Sequence, residues 1–161
     1  MSYPEPKYFG ETGEVNAHFR PAAHPAELVF ANGGSADYLA TGASTDGRFG
    51  LYQWNMSARR SGPDPHFHKT ISESFYILSG TVRIYNGVKW IDTEPGDFVH
   101  VPEGGVHGFR NESGEPASML LLFAPGAPRE AYFEGLASLG DMTEAERKAF
   151  FIEHDNYWIE D

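Results

Sequence analysis

The chain has 161 residues, seven histidines, no cysteine and a formal net charge of −11. Without thiols it cannot form disulfides, thiolate nucleophiles, zinc fingers or cysteine-held iron–sulfur clusters, so any metal must be bound by nitrogen and oxygen. The acidic charge argues against partners such as nucleic acid or anionic membranes, which select basic surfaces. A chain of this length is expected to form one domain with a substantial core.

The first 27 residues are rich in proline, glycine and polar residues and show no sustained periodicity. We interpret them as an irregular arm that lies over the domain or over a partner subunit. His18 and His24 fall in this arm and belong to no motif, so we interpret both as surface histidines. No signal peptide is visible, and the longest apolar run, Met119 to Ala124, is too short to span a bilayer. We therefore expect a cytoplasmic protein.

The segment from Phe49 to Phe123 alternates short apolar or aromatic runs with turn residues. Strands this short with turns this regular predict an all-β barrel or sandwich. Within the segment, Val82 and Ile84 alternate with more polar residues, which indicates a half-buried strand. Asn86-Gly87 follows directly and predicts a hairpin with a two-residue turn.

The last 35 residues change to a helical pattern. Arg129 to Ser138 is predicted to form one helix and Thr143 to His154 a second. Thr143 is the expected N-cap of the second helix, because Glu146 three residues later completes a capping box. The tail, NYWIED, carries an aromatic pair that could pack against the barrel.

Two histidines and a glutamate form the most informative cluster, PHFHKTISESFY. His66 and His68 are two residues apart in a predicted strand, so both side chains point to the same face. Glu73 begins the next strand and shares its face with Phe75 and Ile77. An isolated carboxylate on an apolar face is unfavourable, and a nearby metal ion would remove the penalty.

A further histidine follows in GDFVHVPEGGVHGFRN, which runs from Gly96 to Asn111. The glycines and the proline favour a tight turn that places His107 at the start of the strand that follows. In a closed barrel this strand can face the strand of the histidine pair. Phe109 shares its face with His107, so it is a candidate pocket wall like Phe75 and Ile77, and all three suit an ordinary core equally well.

These two segments resemble the two conserved motifs of the cupin family. The first motif contains His-x-His, three or four residues, Glu, six residues and Gly, which His66, His68, Glu73 and Gly80 match. The second contains Gly, five residues, Pro-x-Gly, two residues, His, three residues and Asn, and every position is matched between Gly96 and Asn111.

The resemblance implies an all-β cupin jelly-roll barrel, a double-stranded β-helix, with a short C-terminal helical extension. We expect residues 1–40 to form the arm and edge strands, residues 41–126 the barrel, and residues 127–161 a helical segment packed on it. One departure is the glycine that opens the first motif, since Gly62 lies four rather than six positions before His66. We expect the ligands to be unaffected. His100 matches no ligand position, and we interpret it as a strand histidine rather than a proton shuttle.

The resemblance also implies that four residues bind one divalent transition metal, either Fe, Ni, Mn, Cu, Co or Zn: His66, His68, Glu73 and His107. The donor types suit such an ion independently of the resemblance. Four ligands on a six-coordinate ion leave two positions for substrate, water or dioxygen.

Small cupins with one domain are similar to quercetinases and polyketide cyclases. We therefore predict a metal-dependent oxygenase of the quercetin 2,3-dioxygenase type, which acts on a small aromatic or enolisable molecule with Glu73 as ligand and general base. An oxygen-independent cyclase or isomerase and a non-catalytic binding protein are the alternatives. Cupins are commonly dimers, so a homodimer is expected.

Overall fold

Short antiparallel strands make up most of the regular structure in the computed structural model, which describes residues 1–159. The strands are β1 Leu28–Val29, β2 Ser35–Ala40, β3 Gly50–Met56, β4 His66–Phe67, β5 Ser72–Ser79, β6 Arg83–Tyr85, β7 Trp90–Asp92, β8 Phe98–Val101, β9 Gly108–Arg110, β10 Ala117–Ala124 and β11 Tyr157–Trp158. The helices are α1 Arg129–Gly135, a 3₁₀ helix Leu136–Asp141, and α2 Glu144–Glu153. This confirms the predicted all-β class with a short helical extension.

The strands form one large sheet and two small ones. The large sheet has the order β1-β2-β3-β10-β5-β8, and the small ones have the orders β7-β6-β9 and β11-β4. Every pairing is antiparallel. Strands β3, β10 and β5 are neighbours in the large sheet although β10 lies far away in sequence, which is typical of a jelly roll.

The core lies between the large sheet and the β7-β6-β9 sheet. Along β10, alternate residues face inward, and Met119, Leu121 and Phe123 are all buried. Val82 and Ile84 contribute from the opposite sheet and are buried as the alternation predicted. Burying each side chain of this size contributes about 1.5–3 kcal/mol to folding, so the period-2 pattern fixes which face of each strand turns inward.

The predicted hairpin joins β6 to β7, but its turn is displaced by one residue. The backbone N–H of Asn86 donates to the carbonyl of Lys89 at 3.1 Å, so Gly87 and Val88 form the loop rather than Asn86 and Gly87. The reason is the Asn86 side chain, whose Oδ1 accepts from the N–H groups of Val88 and Lys89 at 3.0 and 2.9 Å. This Asx turn holds Asn86 outside the loop.

The C-terminal extension differs from its prediction at one point. The first helix stops at Gly135 and continues as the tighter 3₁₀ helix, rather than running to Ser138. Glycine is a weak helix former, which fits this boundary. The second helix has the predicted N-cap, Thr143, and the complete capping box with Glu146. No helix within residues 1–159 is long and apolar enough to cross a membrane.

The N-terminal arm contains no strand or helix before Leu28. Residues 1–19 are exposed, so this stretch does not pack on the barrel of its own chain, and its packing on a partner stays a prediction. His18 and His24 are exposed, as interpreted. The boundaries at residues 40 and 126 likewise stay predictions, and residues 160–161 of the tail lie outside the described part of the chain.

Candidate metal centre

Four buried side chains from three segments meet at one end of the barrel. His66 lies in β4, His68 follows it directly, Glu73 lies in β5 and His107 immediately precedes β9. One ligand atom from each residue can be chosen so that all four atoms lie within 4.8 Å of one another. The segments of His66 and His107 are joined directly, because their backbone N–H and carbonyl groups exchange hydrogen bonds of 2.8 and 2.9 Å.

The backbone that precedes His66 packs closely against β9 at Gly62. A side chain at this position would collide with the carbonyl of Phe109, and the backbone φ of +126° is one that residues other than glycine rarely adopt. Ser61 pairs with Asn111 beside it in an isolated bridge. The unusual spacing of the glycine in the first motif therefore serves the packing of this loop on β9, and His66 still reaches the cluster.

Each imidazole is oriented by a hydrogen bond from its Nδ1 to a backbone carbonyl. Because a carbonyl oxygen only accepts, Nδ1 carries the proton and Nε2 presents a lone pair. This is the tautomer that binds a metal through Nε2. The three bonds are His66 to Asp64 at 2.8 Å, His68 to Asp155 at 2.6 Å, and His107 to Gly105 at 2.9 Å.

The Nε2 atoms of two histidines face a carboxylate oxygen at hydrogen-bond distance. Glu73 Oε2 lies 2.8 Å from His107 Nε2 and 3.1 Å from His68 Nε2. If Nδ1 is protonated on both rings, a lone pair faces a negative oxygen at each contact, and only a proton or a cation between them makes the contact favourable. Three imidazole nitrogens and one carboxylate are a donor set for divalent transition metals, so the site can hold such an ion.

The charges of the metal-free cluster follow from burial and from these contacts. Burial by itself would raise the pKa of Glu73, but its contacts with the imidazoles of His107 and His68 outweigh burial and lower that pKa well below its usual value. Burial lowers and the contact with Glu73 raises the pKa of His107, with a net increase. Burial lowers the pKa of His66 to about 3. The raised pKa of His107 and the lowered pKa of Glu73 favour an ion pair between the two side chains, whereas the low pKa of His66 favours its neutral form.

We expect the free energy of unfolding of the metal-free protein to fall as pH is lowered from 6.5 toward 3. The folded pKa of His66, about 3, lies below its ordinary value of 6.5, so in this window the unfolded chain binds a proton that the folded chain does not. One such proton changes stability by about 1.4 kcal/mol per pH unit. Glu73 acts in the same direction, because its contribution is lost as pH falls from 4.5 through its lowered pKa. His107 acts oppositely, since its contribution is lost as pH rises through its raised pKa.

Urea unfolding at about pH 7, 5.5 and 4.5 measures this dependence. The matched variant is His66→Ala, which removes the group with the depressed pKa and should give a shallower loss of stability over the same range. If the free energy of unfolding depended on pH with the same slope in both proteins, His66 would not be the source of the pH dependence.

The C-terminal segment completes the site, which no motif in the sequence indicated. The carbonyl of Asp155 orients His68, and its carboxylate accepts hydrogen bonds from the N–H groups of Lys69 and Thr70, both at 2.9 Å. Immediately afterwards β11 pairs with β4, which places Trp158 opposite His66. The aromatic tail therefore packs against the strand that carries the first ligand.

Replacing Asp155 by alanine is expected to lower metal affinity about tenfold, the lower end of the range for losing an outer partner of a metal ligand. The carboxylate fixes the turn that follows His68, so its loss lets the imidazole reorient. Zinc affinity measured by competition with a chromophoric chelator tests this. The matched control is Asp141→Ala in the 3₁₀ helix, which makes no contact with the ligand loop. Wild-type affinity in the Asp155 variant would show that the carboxylate does not position His68.

A cavity of about 560 Å³ opens beside the cluster, with His66 and Glu73 in its wall. Within residues 1–159, the charged residues that line it are Glu73 and Arg129, which lies in α1. Most of the remaining lining is apolar, and much of it is aromatic. The aromatic lining residues include Trp54, Phe109, Phe123, Tyr132, Phe133 and Trp158.

The predicted pocket residues divide between this cavity and the core. Phe109 lines the cavity, whereas Phe75 and Ile77 do not and are 0% and 1% exposed in the core. Inward-facing positions of a small barrel are filled by side chains, so sharing a face with Glu73 is not enough to reach the cavity. Phe75 lies behind the cluster, with its ring 6.0 Å from that of His107.

His100 lies outside the cluster, as interpreted. It is exposed on β8, and its Nδ1 is 2.9 Å from the hydroxyl of Ser74 on the neighbouring strand. The lining residues that sequence reasoning missed lie in β1 and the segment after it, in β3, and in α1, the 3₁₀ helix and β11. For those in the C-terminal elements, the only sequence signal was the apolar and aromatic character of the extension.

Comparison with known proteins agrees with the motifs. Residues 53–123 match the family model described as Cupin domain. Quercetin 2,3-dioxygenase of Bacillus subtilis (strain 168) is 32% identical over 111 residues, which cover 66% of this chain but only 30% of that protein. The chain therefore spans less than a third of the length of this relative.

Two solved structures share the fold at low sequence identity. KdgF from Halomonas sp. superposes with a TM-score of 0.60 at 18% identity, over 72% of this chain and 99% of that chain. The polyketide cyclase RemF from Streptomyces resistomycificus gives a TM-score of 0.55 at 20% identity, over 68% of this chain and 80% of that chain.

Proposed function

We propose that this chain, whose residues 53–123 match the cupin-domain model, is a metal-dependent enzyme whose reaction is an oxygenation of the quercetin 2,3-dioxygenase type. Its substrate is a small aromatic or enolisable molecule, with dioxygen as the second substrate. The observation that carries the proposal is the convergence of three imidazoles and Glu73 in the wall of an apolar cavity. The partial match to the Bacillus subtilis enzyme supports the choice of reaction.

The size and lining of the cavity favour a flat apolar substrate. A volume of about 560 Å³ lies within the range of small-molecule sites. The rings of Trp54 and Phe133 are 5.0 Å apart and those of Trp54 and Phe109 are 6.4 Å apart, so one aromatic cluster forms a continuous side of the cavity. A planar molecule could stack on this side while one oxygen reaches the ligand cluster.

The residues of the chain suit the proton transfer that such a reaction needs. A divalent transition metal bound by the four ligands would supply Lewis acidity at a substrate hydroxyl and, if it is redox-active, electron exchange with dioxygen. Glu73 is ionised at neutral pH because its pKa is held low, so its carboxylate is free to accept a proton. The low pKa also makes it a weak base, so transfer of the hydroxyl proton would depend on the metal lowering the pKa of that hydroxyl. The carbonyls that fix the imidazole Nδ1 atoms keep the ligands in place during this transfer. The apolar walls limit the access of water.

Oxygen uptake in the presence of flavonols tests the proposal. The protein is stripped with a chelator, reloaded separately with Fe, Ni, Mn, Cu, Co or Zn, and mixed with quercetin in an oxygen electrode. We expect uptake that matches the loss of the flavonol and requires a redox-active metal. Conversion of substrate without oxygen, and with zinc, would instead indicate a cyclase or isomerase. Flavonol binding without conversion would indicate a binding protein.

The homodimer and the cytoplasmic location stay predictions from the resemblance and the composition. Light scattering on the purified protein checks the first.

A further inference from the structure

A single cationic side chain lies in the wall of the apolar cavity. Arg129 is the first residue of α1, is only 4% exposed, and is the only lysine or arginine among the lining residues of the described chain. Arginine keeps its charge under all ordinary conditions. The cavity therefore presents one fixed positive charge besides the metal ligands.

No carboxylate contacts this charge directly, although Glu73 and Asp155 act on it from a longer distance. Within residues 1–159, no acidic side chain forms an ion pair with Arg129. The guanidinium makes two hydrogen bonds, both to neutral acceptors: Nη1 donates to the carbonyl of His154 at 2.7 Å and Nη2 to Asn156 Oδ1 at 3.2 Å. Nε has no partner. A buried charge without a counter-ion is unfavourable, and a neutral donor would satisfy the same two acceptors.

The surroundings hold the guanidinium in a fixed place instead of neutralising it. Its central carbon lies 4.3 Å from the ring centre of Tyr132, 5.0 Å from that of Phe123 and 5.7 Å from that of Phe133. Cation–π contacts of this kind offset part of the burial penalty. All three rings also line the cavity, so little water screens the charge from a molecule bound there.

The arginine and the ligand cluster are within reach of one small molecule. Phe123 is in contact with both, because its ring centre is 5.0 Å from the Arg129 guanidinium carbon and 6.4 Å from the His68 ring. Glu73 and His66 lie in the wall of the same cavity as Arg129. A ligand that fills the cavity would therefore meet charged groups at two places, the candidate metal ligands and Arg129.

We propose that Arg129 binds an anionic oxygen group of the substrate, a carboxylate or a phenolate or enolate oxygen, while the apolar body lies on the aromatic wall. The inference rests on the proposed function only in identifying the ligand as the substrate of the metal centre. Charge-assisted hydrogen bonds from a guanidinium are about twice as strong as those between neutral groups. Arg129 therefore selects an anionic molecule over its neutral analogue.

Binding of a matched pair of probes tests this selection. Dissociation constants of 2-naphthoate and the uncharged 2-naphthamide are measured by calorimetry on zinc-loaded wild-type protein, Arg129→Gln and Arg129→Lys. The metal is common to all three proteins, so a change in the ratio of the two constants reports on Arg129 alone. We expect the preference for naphthoate to fall about tenfold or more in Arg129→Gln and to be partly kept in Arg129→Lys. An unchanged ratio in Arg129→Gln would overturn the proposal.

A second measurement on the wild-type protein covers the case in which Arg129→Gln does not fold. The Nε–H of Arg129 is buried, so its NMR resonance is protected from exchange, and the spectrum of Arg129→Lys assigns it. We expect this resonance to shift on addition of naphthoate and to stay in place, or shift much less, with naphthamide. Equal responses to the two probes would contradict anion binding by Arg129.

The outcomes separate this inference from the proposed oxygenase. Loss of the naphthoate preference in Arg129→Gln together with no oxygen uptake on any metal supports the anion site and rejects the oxygenase. Oxygen uptake by the wild-type protein together with an unchanged naphthoate preference in Arg129→Gln rejects the anion site but not the oxygenase.

Discussion

Replacing His107 by alanine is expected to reduce the metal content of the purified protein from about one ion per chain to almost none. Losing an outer partner of a metal ligand already lowers affinity about 10–100-fold, so losing a ligand should lower it by at least about a hundredfold. His107 is also the closest partner of Glu73, at 2.8 Å. Its removal therefore takes away one donor and leaves the buried carboxylate with fewer compensating contacts.

Elemental analysis of protein expressed in metal-supplemented medium measures this effect. The matched control is His100→Ala, because His100 is exposed on β8 and outside the ligand cluster. This control should keep the wild-type metal content and melting temperature. A His107→Ala protein that is folded and retains a full complement of metal would show that the four residues do not act as one site, and the proposed function would fail with it.

Replacing Glu73 by glutamine is expected to lower turnover by about 10²–10⁴-fold, the usual contribution of a general base. The substitution keeps the size of the side chain and removes its charge. The fold should survive, since the amide can donate to the Nε2 of His107 where the carboxylate now accepts. Metal affinity should also fall, because a neutral amide is a weaker ligand than a carboxylate.

The rate of oxygen uptake per bound metal separates these two effects. Dividing the rate by the metal content corrects for the weaker metal binding, so the remaining decrease in rate reports the loss of the general base. Glu94→Gln is the control, because Glu94 is exposed in the turn before β8 and should retain the wild-type rate. If the rate per bound metal were unchanged in Glu73→Gln, Glu73 would be a ligand only, and the proton would have to leave by another route.

Several features were determined by local sequence. His66 and His68 are two residues apart, so strand geometry predicts that their side chains share a face, and Glu73 follows five residues later at the start of the next strand. The capping box of Thr143 and Glu146 spans four residues, and the structure contains it as predicted. The alternation around Val82 and Ile84 likewise gave the buried face of β6. Each of these contacts depends on neighbours in the chain, whose relative positions the secondary structure fixes.

The walls of the site were decided by contacts between distant parts of the chain. Asp155 orients His68 from 87 residues away, and the only fixed charge in the cavity besides Glu73 comes from Arg129 on a helix beyond the barrel. Phe75 and Ile77 have the same parity as Glu73 yet belong to the packed core. Strand periodicity tells which face a side chain occupies but carries no information about which distant segment covers that face. The candidate metal ligands could therefore be identified from the sequence, whereas the cavity and the arginine in its wall emerged only from tertiary packing, in which β1, β3 and the C-terminal extension all contribute to the wall.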